Sequence, residues 1–155
     1  MQTKNPNESL KTLNIELPQA PKPVASYVPA RQSGRLVHIS GQIPFKDGSL
    51  LAQGTVPSMV SPKIAIACAR QCTLNALAVL ENHIEDLNRV TGVIRVGVFV
   101  ASDQGYGDQP EIANGCSDLL VEIFGDVGQH ARAAVGVSAL PLNVPVEIEF
   151  TFEVQ

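Results

Sequence analysis

The stretch HARAAVGVSALPLNVPVEIEFTFEV, residues 130–154, decides the fold. It contains two segments with two-residue alternation, the period of a β-strand. In the later segment Val146, Ile148, Phe150, Phe152 and Val154 share one side, and Glu147, Glu149, Thr151 and Glu153 share the other. In the earlier one Ala133, Val135 and Val137 lie opposite Arg132, Ala134, Gly136 and Ser138. If the apolar sides form one core face, Arg132 and Glu147 both point away from it, onto the open face of a sheet. They are then either a surface ion pair or an anion clamp beside a general base.

Working outward, Val90 to Ala101 reads as a strand, with Ile94, Val96, Val98 and Val100 on one face and Val93, Arg95, Gly97 and Phe99 on the other. Asp108 and Glu111 have capping-box spacing and open a helix whose apolar stripe runs from Ile112 to Ile123, with Gly125 at its C-cap. Ser61-Pro62 starts a longer helix, to about His83, rich in alanine and cysteine. Tyr27 to Ile39 reads as a hairpin turning at Ser33-Gly34, and Leu50 to Val56 as a short strand. Asn5 to Ile15 carries a weak helical signal, followed by Pro18, Pro21, Pro23 and Pro29, which impose an extended arm.

The order of elements predicts an α+β domain, a sheet with two helices packed on one face. The other face would carry Arg132 and Glu147 together with Leu36, Val93, Gly97 and Phe99. So apolar a face calls for cover by other subunits, and a homo-oligomer is expected.

The chain of 155 residues suits one domain. Its net charge of −4, scattered Lys and Arg, and lack of Trp disfavour nucleic acid as a partner. No segment reads as membrane-spanning, and the first residues lack the features of a signal peptide, so a cytoplasmic location is expected. Cys68, Cys72 and Cys116 are odd in number, without zinc spacing, and read as buried apolar side chains. No phosphate loop or dinucleotide fingerprint is present.

Two residues carry candidate chemistry. Arg132 is either an ion-pair partner of Glu147, Glu149 or Glu153, or a planar fork for a ligand carboxylate. Glu147 is either a solvated strand residue or a carboxylate that orients and deprotonates a water, kept ionised by a nearby arginine. His38 and His130 lack a recognisable partner spacing and read as structural. His83 sits where a helix C-terminus favours it.

The ordered set Ser40-Gly41-Gln42-Ile43-Pro44, Val96-Gly97-Val98-Phe99-Val100, Ala131-Arg132-Ala133, Leu140-Pro141 and Val146-Glu147-Ile148-Glu149 resembles the RidA/YjgF family, reactive intermediate deaminases also called L-PSP endoribonucleases. The resemblance spans Ala25 to Val154 and divides the chain into an N-terminal helix and Pro-rich arm, residues 1–24, and a RidA/YjgF-like domain, residues 25–155. Asp108-Gln109-Pro110 and Asn114 to Leu120 further resemble a subgroup without a settled substrate. The resemblance implies a chorismate-mutase-like mixed sheet, closed by three subunits into a trimeric barrel with pockets between neighbours. It places carboxylate binding on Arg132, water positioning on Glu147, and substrate contacts on Tyr27, Ser40, Gly41, Asn114 and the position of Ala134. Many members have Ser-Cys after the arginine; Ala133 and Ala134 stand there in this chain, which removes a thiol role. The implied activity is hydrolysis of small 2-imino or 2-enamino acids to 2-keto acids and ammonia, with no metal or organic cofactor. The alternatives are a non-catalytic carboxylate-binding or chaperone-like trimer and, against the charge balance, an endoribonuclease.

Overall fold

The computed structural model describes residues 4–20 and 26–155. Its elements in chain order are α1 (Pro6–Thr12), β1 (Ala30–Ser33), β2 (Leu36–Gln42), β3 (Phe45–Lys46), β4 (Ser49–Leu50), α2 (Pro62–Ile84), β5 (Val90–Ala101), α3 (Gln109–Phe124), β6 (Ala131–Val137) and β7 (Val146–Val154). Five strands form one mixed sheet in the order β1-β2-β7-β5-β6, and β3 and β4 form a separate hairpin. The β5–β6 pair is parallel, because α3 returns the chain between them. The α+β architecture read from the sequence stands, with α2 and α3 packed on one face and a short α1 beside α3.

The alternation of β7 is as expected: Val146, Ile148, Phe150, Phe152 and Val154 are all buried under the helices. Phe150 and Phe152 stack with ring centroids 5.8 Å apart. They share one core with residues of α2 and α3 that include Cys72, Leu80, Cys116 and Leu119, all fully buried. Cys68, Cys72 and Cys116 are buried free thiols, as the sequence predicted. Small residues let the layers approach. A Cβ at Gly115 of α3 would collide with the Ile66 carbonyl of α2, so this glycine permits the close helix–helix approach.

Several expectations need correction. Val93 is buried beside Val96, Val98 and Val100, whereas Ile94 is exposed. The pairs Val93↔Phe152 and Arg95↔Thr151 leave one extra β5 residue, a bulge that reverses the phase of the alternation. Leu50 to Val56 is not a strand: Ser49–Leu50 closes a hairpin over Asp47 and Gly48, and Val56 makes an isolated bridge to Ser102. Asp108 precedes α3, but its backbone is not extended (φ −96°, ψ 27°), so its side chain caps nothing; its carbonyl accepts from the Glu111 amide at 3.1 Å. The Ser61 cap of α2 does form. That helix, at 23 residues, is long and apolar enough to cross a membrane by length and composition, yet most of it is buried in the domain.

Within the N-terminal arm, Pro21 and Pro23 lie outside the described residues. The preceding helix α1 is capped by Asn5, and Asn7 donates to Asp86 at 3.0 Å. Leu10 is buried in the main core. Leu10→Ala is therefore expected to cost about 2 kcal/mol of unfolding free energy, measured from the urea midpoint. A change below about 0.5 kcal/mol, typical of a surface site, would detach α1 from the core.

Candidate functional site

Backbone pairing decides which way Arg132 points. Val96 is paired with Phe150 on one side and with Arg132 on the other, and neighbours across a ladder share a face. Arg132 therefore lies on the helix side of the sheet, not on the open face expected from the sequence. There it meets α3. Its Nη1 donates to Asn114 Oδ1 at 2.9 Å and to Ser117 Oγ at 3.0 Å. Both hydrogens of Nη1 are thus used, while Nε and Nη2 make no hydrogen bond among the described residues. The side chain remains exposed at the sheet edge, which leaves those donors available to a ligand.

The anchor extends further. His130 Nδ1 lies 2.7 Å from the Gly128 carbonyl oxygen, and its Nε2 lies 3.0 Å from Ser117 Oγ. Burial lowers the His130 pKa, and the Arg132 charge lowers it further, against the raising effect of the Gly128 hydrogen bond. The same arginine slightly offsets the burial that pushes the Cys116 thiol up to about 12. Ala134 also faces the helices, half-buried against the core, because it pairs with Val98.

Glu147 sits elsewhere. It pairs with Phe99 and lies on the open face. A second bulge, at Ser40 and Gly41 of β2, brings the Gly41 backbone beneath its carboxylate. A Cβ on Gly41 would collide with Glu147 Oε1, so only glycine leaves this space to the carboxylate. Ser40 Oγ donates to the Val28 carbonyl at 2.7 Å and ties down the segment that begins with Tyr27, which is exposed. Glu147 makes no hydrogen bond or ion pair among the described residues. Its pKa is raised, first by desolvation and then by the Glu149 charge. Among the described residues of this chain no arginine pairs with it; Arg95 pairs with Glu149 at 4.0 Å.

The candidates thus fall into two groups. Arg132, Asn114 and Ala134 gather on the helix side at the β6 edge. Glu147, Gly41, Ser40 and the Tyr27 segment gather on the open side around β2 and β7. The groups are two strands apart and three residues apart along the strands, roughly 14 Å at ordinary sheet spacings, and on opposite faces. The ion pair weighed for Arg132 with Glu147, Glu149 or Glu153 is absent; Arg35 takes Glu153 and Arg95 takes Glu149. A depression of about 310 Å³ on the open face is lined by residues including His38, Arg95 and Glu149, and by neither Arg132 nor Glu147. Sequence reasoning missed Ser117 as a partner of Arg132, and His130 behind it as the partner of Ser117. The available signal was helical spacing, since Asn114 and Ser117 are three apart and share a face of α3.

Comparison with known proteins identifies the fold and the family. Residues 7–153 match the family described as "YjgF/chorismate mutase-like, putative endoribonuclease". The chain is 38% identical over 146 residues to Protein TCP17 of Trypanosoma cruzi, covering 94% of this chain and 91% of that protein. It is 33% identical over 135 residues to a 2-iminobutanoate/2-iminopropanoate deaminase of Dermatophagoides farinae, covering 87% and 91%. The fold matches the crystal structure of a protein titled a putative endoribonuclease from Shewanella oneidensis with a TM-score of 0.93 and 30% identity, covering 97% of this chain and 100% of that one. The mixed sheet with helices packed on one face is the fold of this chorismate-mutase-like class. The chain belongs to the YjgF/RidA family.

Gly41→Ala is expected to leave the fold intact while displacing the Glu147 carboxylate towards solvent. In the isolated chain the Glu147 pKa, followed by carboxyl-carbon NMR, is then expected to fall back towards the ordinary carboxylate range. An unchanged value would show that Gly41 does not set the position of Glu147.

Proposed function

We propose that the protein is a hydrolytic deaminase of small 2-imino and 2-enamino acids, acting at sites between the subunits of a homotrimer. The observation that carries this reading is the pairing of two prepared but incomplete halves. Arg132 is anchored through Nη1 and presents its Nε and Nη2 donors, the fork that suits a carboxylate. Glu147 is half-buried and unpartnered above Gly41. The two halves are too far apart to meet within one chain, and a neighbouring subunit bringing its Arg132 to this chain's Glu147 would join them. Three buried free thiols support a reducing, cytoplasmic setting.

In this site Arg132 binds the substrate carboxylate and lowers the cost of placing it beside Glu147. A 2-enamino acid first tautomerises to the imine, which is already electrophilic. Glu147 accepts a proton from a water as its oxygen adds to the imine carbon. The imine is attacked in its protonated form, so the adduct is a carbinolamine. Glu147 returns its proton to the nitrogen, then accepts the hydroxyl proton as the C–N bond breaks, ammonia leaves and the C=O bond forms, and releases that proton to solvent. The product is a 2-keto acid. An arginine near Glu147 in the assembled site would pull the raised carboxyl pKa down and keep the base ionised at neutral pH.

The test is ammonia release from freshly generated 2-aminoacrylate. Arg132→Ala is expected to lower kcat/KM about 100-fold, the loss of a charge-assisted bidentate contact. Glu147→Gln is expected to lower kcat at least about 100-fold with a smaller effect on KM. No acceleration by the native protein over the spontaneous reaction would overturn the assignment for this substrate. Saturable, Arg132-dependent binding without turnover would replace it with a non-catalytic carboxylate binder.

Two further outcomes check the arrangement. Co-refolding Arg132→Ala chains with Glu147→Gln chains is expected to restore about a quarter of the native activity, because random trimers form some sites with both native residues. Failure to recover any would place both residues in one chain's site. Glu147→Gln is also expected to stabilise the isolated chain at pH 7. A carboxyl whose folded pKa is raised destabilises above that pKa, and the penalty disappears as pH falls below the unfolded value. The gain, read from urea midpoints, is therefore expected to vanish near pH 4.

A further inference from the structure

His130 does not touch the presented fork of Arg132, yet its geometry reaches that side chain through one hydroxyl. A carbonyl oxygen can only accept, so the 2.7 Å contact of Nδ1 with Gly128 places the proton on Nδ1. In the neutral ring Nε2 is then an acceptor, and Ser117 must donate its hydroxyl hydrogen to it across 3.0 Å. This leaves the Ser117 oxygen lone pairs for Arg132 Nη1, also at 3.0 Å. Every donor in the chain from Gly128 through His130 and Ser117 to Arg132 has one acceptor, and the direction of each bond follows from the first.

From this polarity we propose that His130 is a positioning residue for Arg132, and that its protonation is linked to occupancy of Arg132 by an anion. Protonated His130 would donate from both nitrogens. Ser117 would then accept from two cations, and its own hydrogen would lose its acceptor. A second positive charge, one serine away from the guanidinium, is unfavourable while Arg132 is empty. A carboxylate on the Nε and Nη2 donors neutralises the guanidinium and makes that second charge tolerable. Other charged groups on the surrounding elements are Asp126 before β6, Arg95 on the paired strand, and Asp118 and Glu122 on α3. The Arg132 charge acts on the ring, alongside burial and the Gly128 carbonyl.

The sign of the linkage follows. An anion on Arg132 raises the His130 pKa. Carboxylate affinity is therefore greatest below the ligand-free pKa of His130, and it declines as pH rises through the ligand-bound pKa. Above both values His130 contributes positioning alone.

The experiment is imidazole nitrogen NMR on the native protein over a pH series, with and without pyruvate as the probe carboxylate. In the ligand-free protein the Nδ1–H tautomer is expected, with a pKa below that of a free histidine; Arg132→Gln is expected to raise it. An Nε2–H tautomer, or a pKa indifferent to Arg132→Gln, overturns the proposal, and neither measurement needs a ligand to bind. Saturating pyruvate is expected to raise the His130 pKa in the native protein. Ser117→Ala and His130→Phe are each expected to weaken pyruvate binding about three- to tenfold, the size of one lost hydrogen bond, and His130→Phe to abolish the rise in affinity at low pH. Retention of that rise in His130→Phe would overturn the linkage. The pyruvate arm rests on the carboxylate-binding role proposed above. If pyruvate shows no Arg132-dependent binding, that role fails, while the ligand-free tautomer and the Arg132→Gln comparison still decide the positioning network.

Discussion

The pairing of β7 with β2 on one side and β5 on the other governs everything else in the domain. Residues opposite one another on adjacent strands must face the same way. Because Phe150 is buried, Val96 beside it is buried, and Arg132 beside Val96 must turn towards the helices. By the same rule Phe99, opposite Glu147, faces the open side. The aim of each polar side chain is thus inherited from the apolar row it belongs to. Two bulges in β5 and one in β2 then adjust the phase locally, the last of them delivering Gly41 to Glu147.

The same rule explains what the sequence revealed. The β7 alternation, the Ser61 cap and small-residue face of α2, and the apolar stripe of α3 were all legible, because each depends on residues close together in the chain. The relation between β6 and β7 was not. Both alternate cleanly, but β6 has its bulkier apolar residues on the open side and Arg132, Ala134 and Gly136 on the helix side. On an edge strand lying under α3 the buried side must be small. A Cβ at Gly136 would already press on Gln109 Nε2 at 2.8 Å. Hydrophobicity alone therefore assigned the wrong face, and with it placed Arg132 and Glu147 together. The bulge that moved Val93 into the core was invisible for the same reason: it is a property of the pairing between strands, not of either strand.

Of the candidate residues, Gly41 was the most informative once its surroundings were known. A glycine in an exposed strand segment has no packing role, yet here the missing side chain is the space a carboxylate occupies. Asn114 was matched by family resemblance, but its place on α3 gives it a physical task, since it takes one of the two Arg132 Nη1 hydrogens. Ser117 takes the other. Gly115 lies between them in sequence and lets α3 approach Ile66 of α2, so helix packing and arginine anchoring come from one turn of α3.

The outer edge of β6 has one more consequence. Among the described residues this strand pairs only with β5, and most of its side chains are small. Its far side therefore offers a row of backbone donors and acceptors with little steric protection, and none of the lysines or prolines that commonly guard such margins. A chain left alone, during synthesis or at high dilution, exposes a ready template for adding another strand. The smallness that lets the strand lie close to α3 is thus the same property that leaves its margin unguarded.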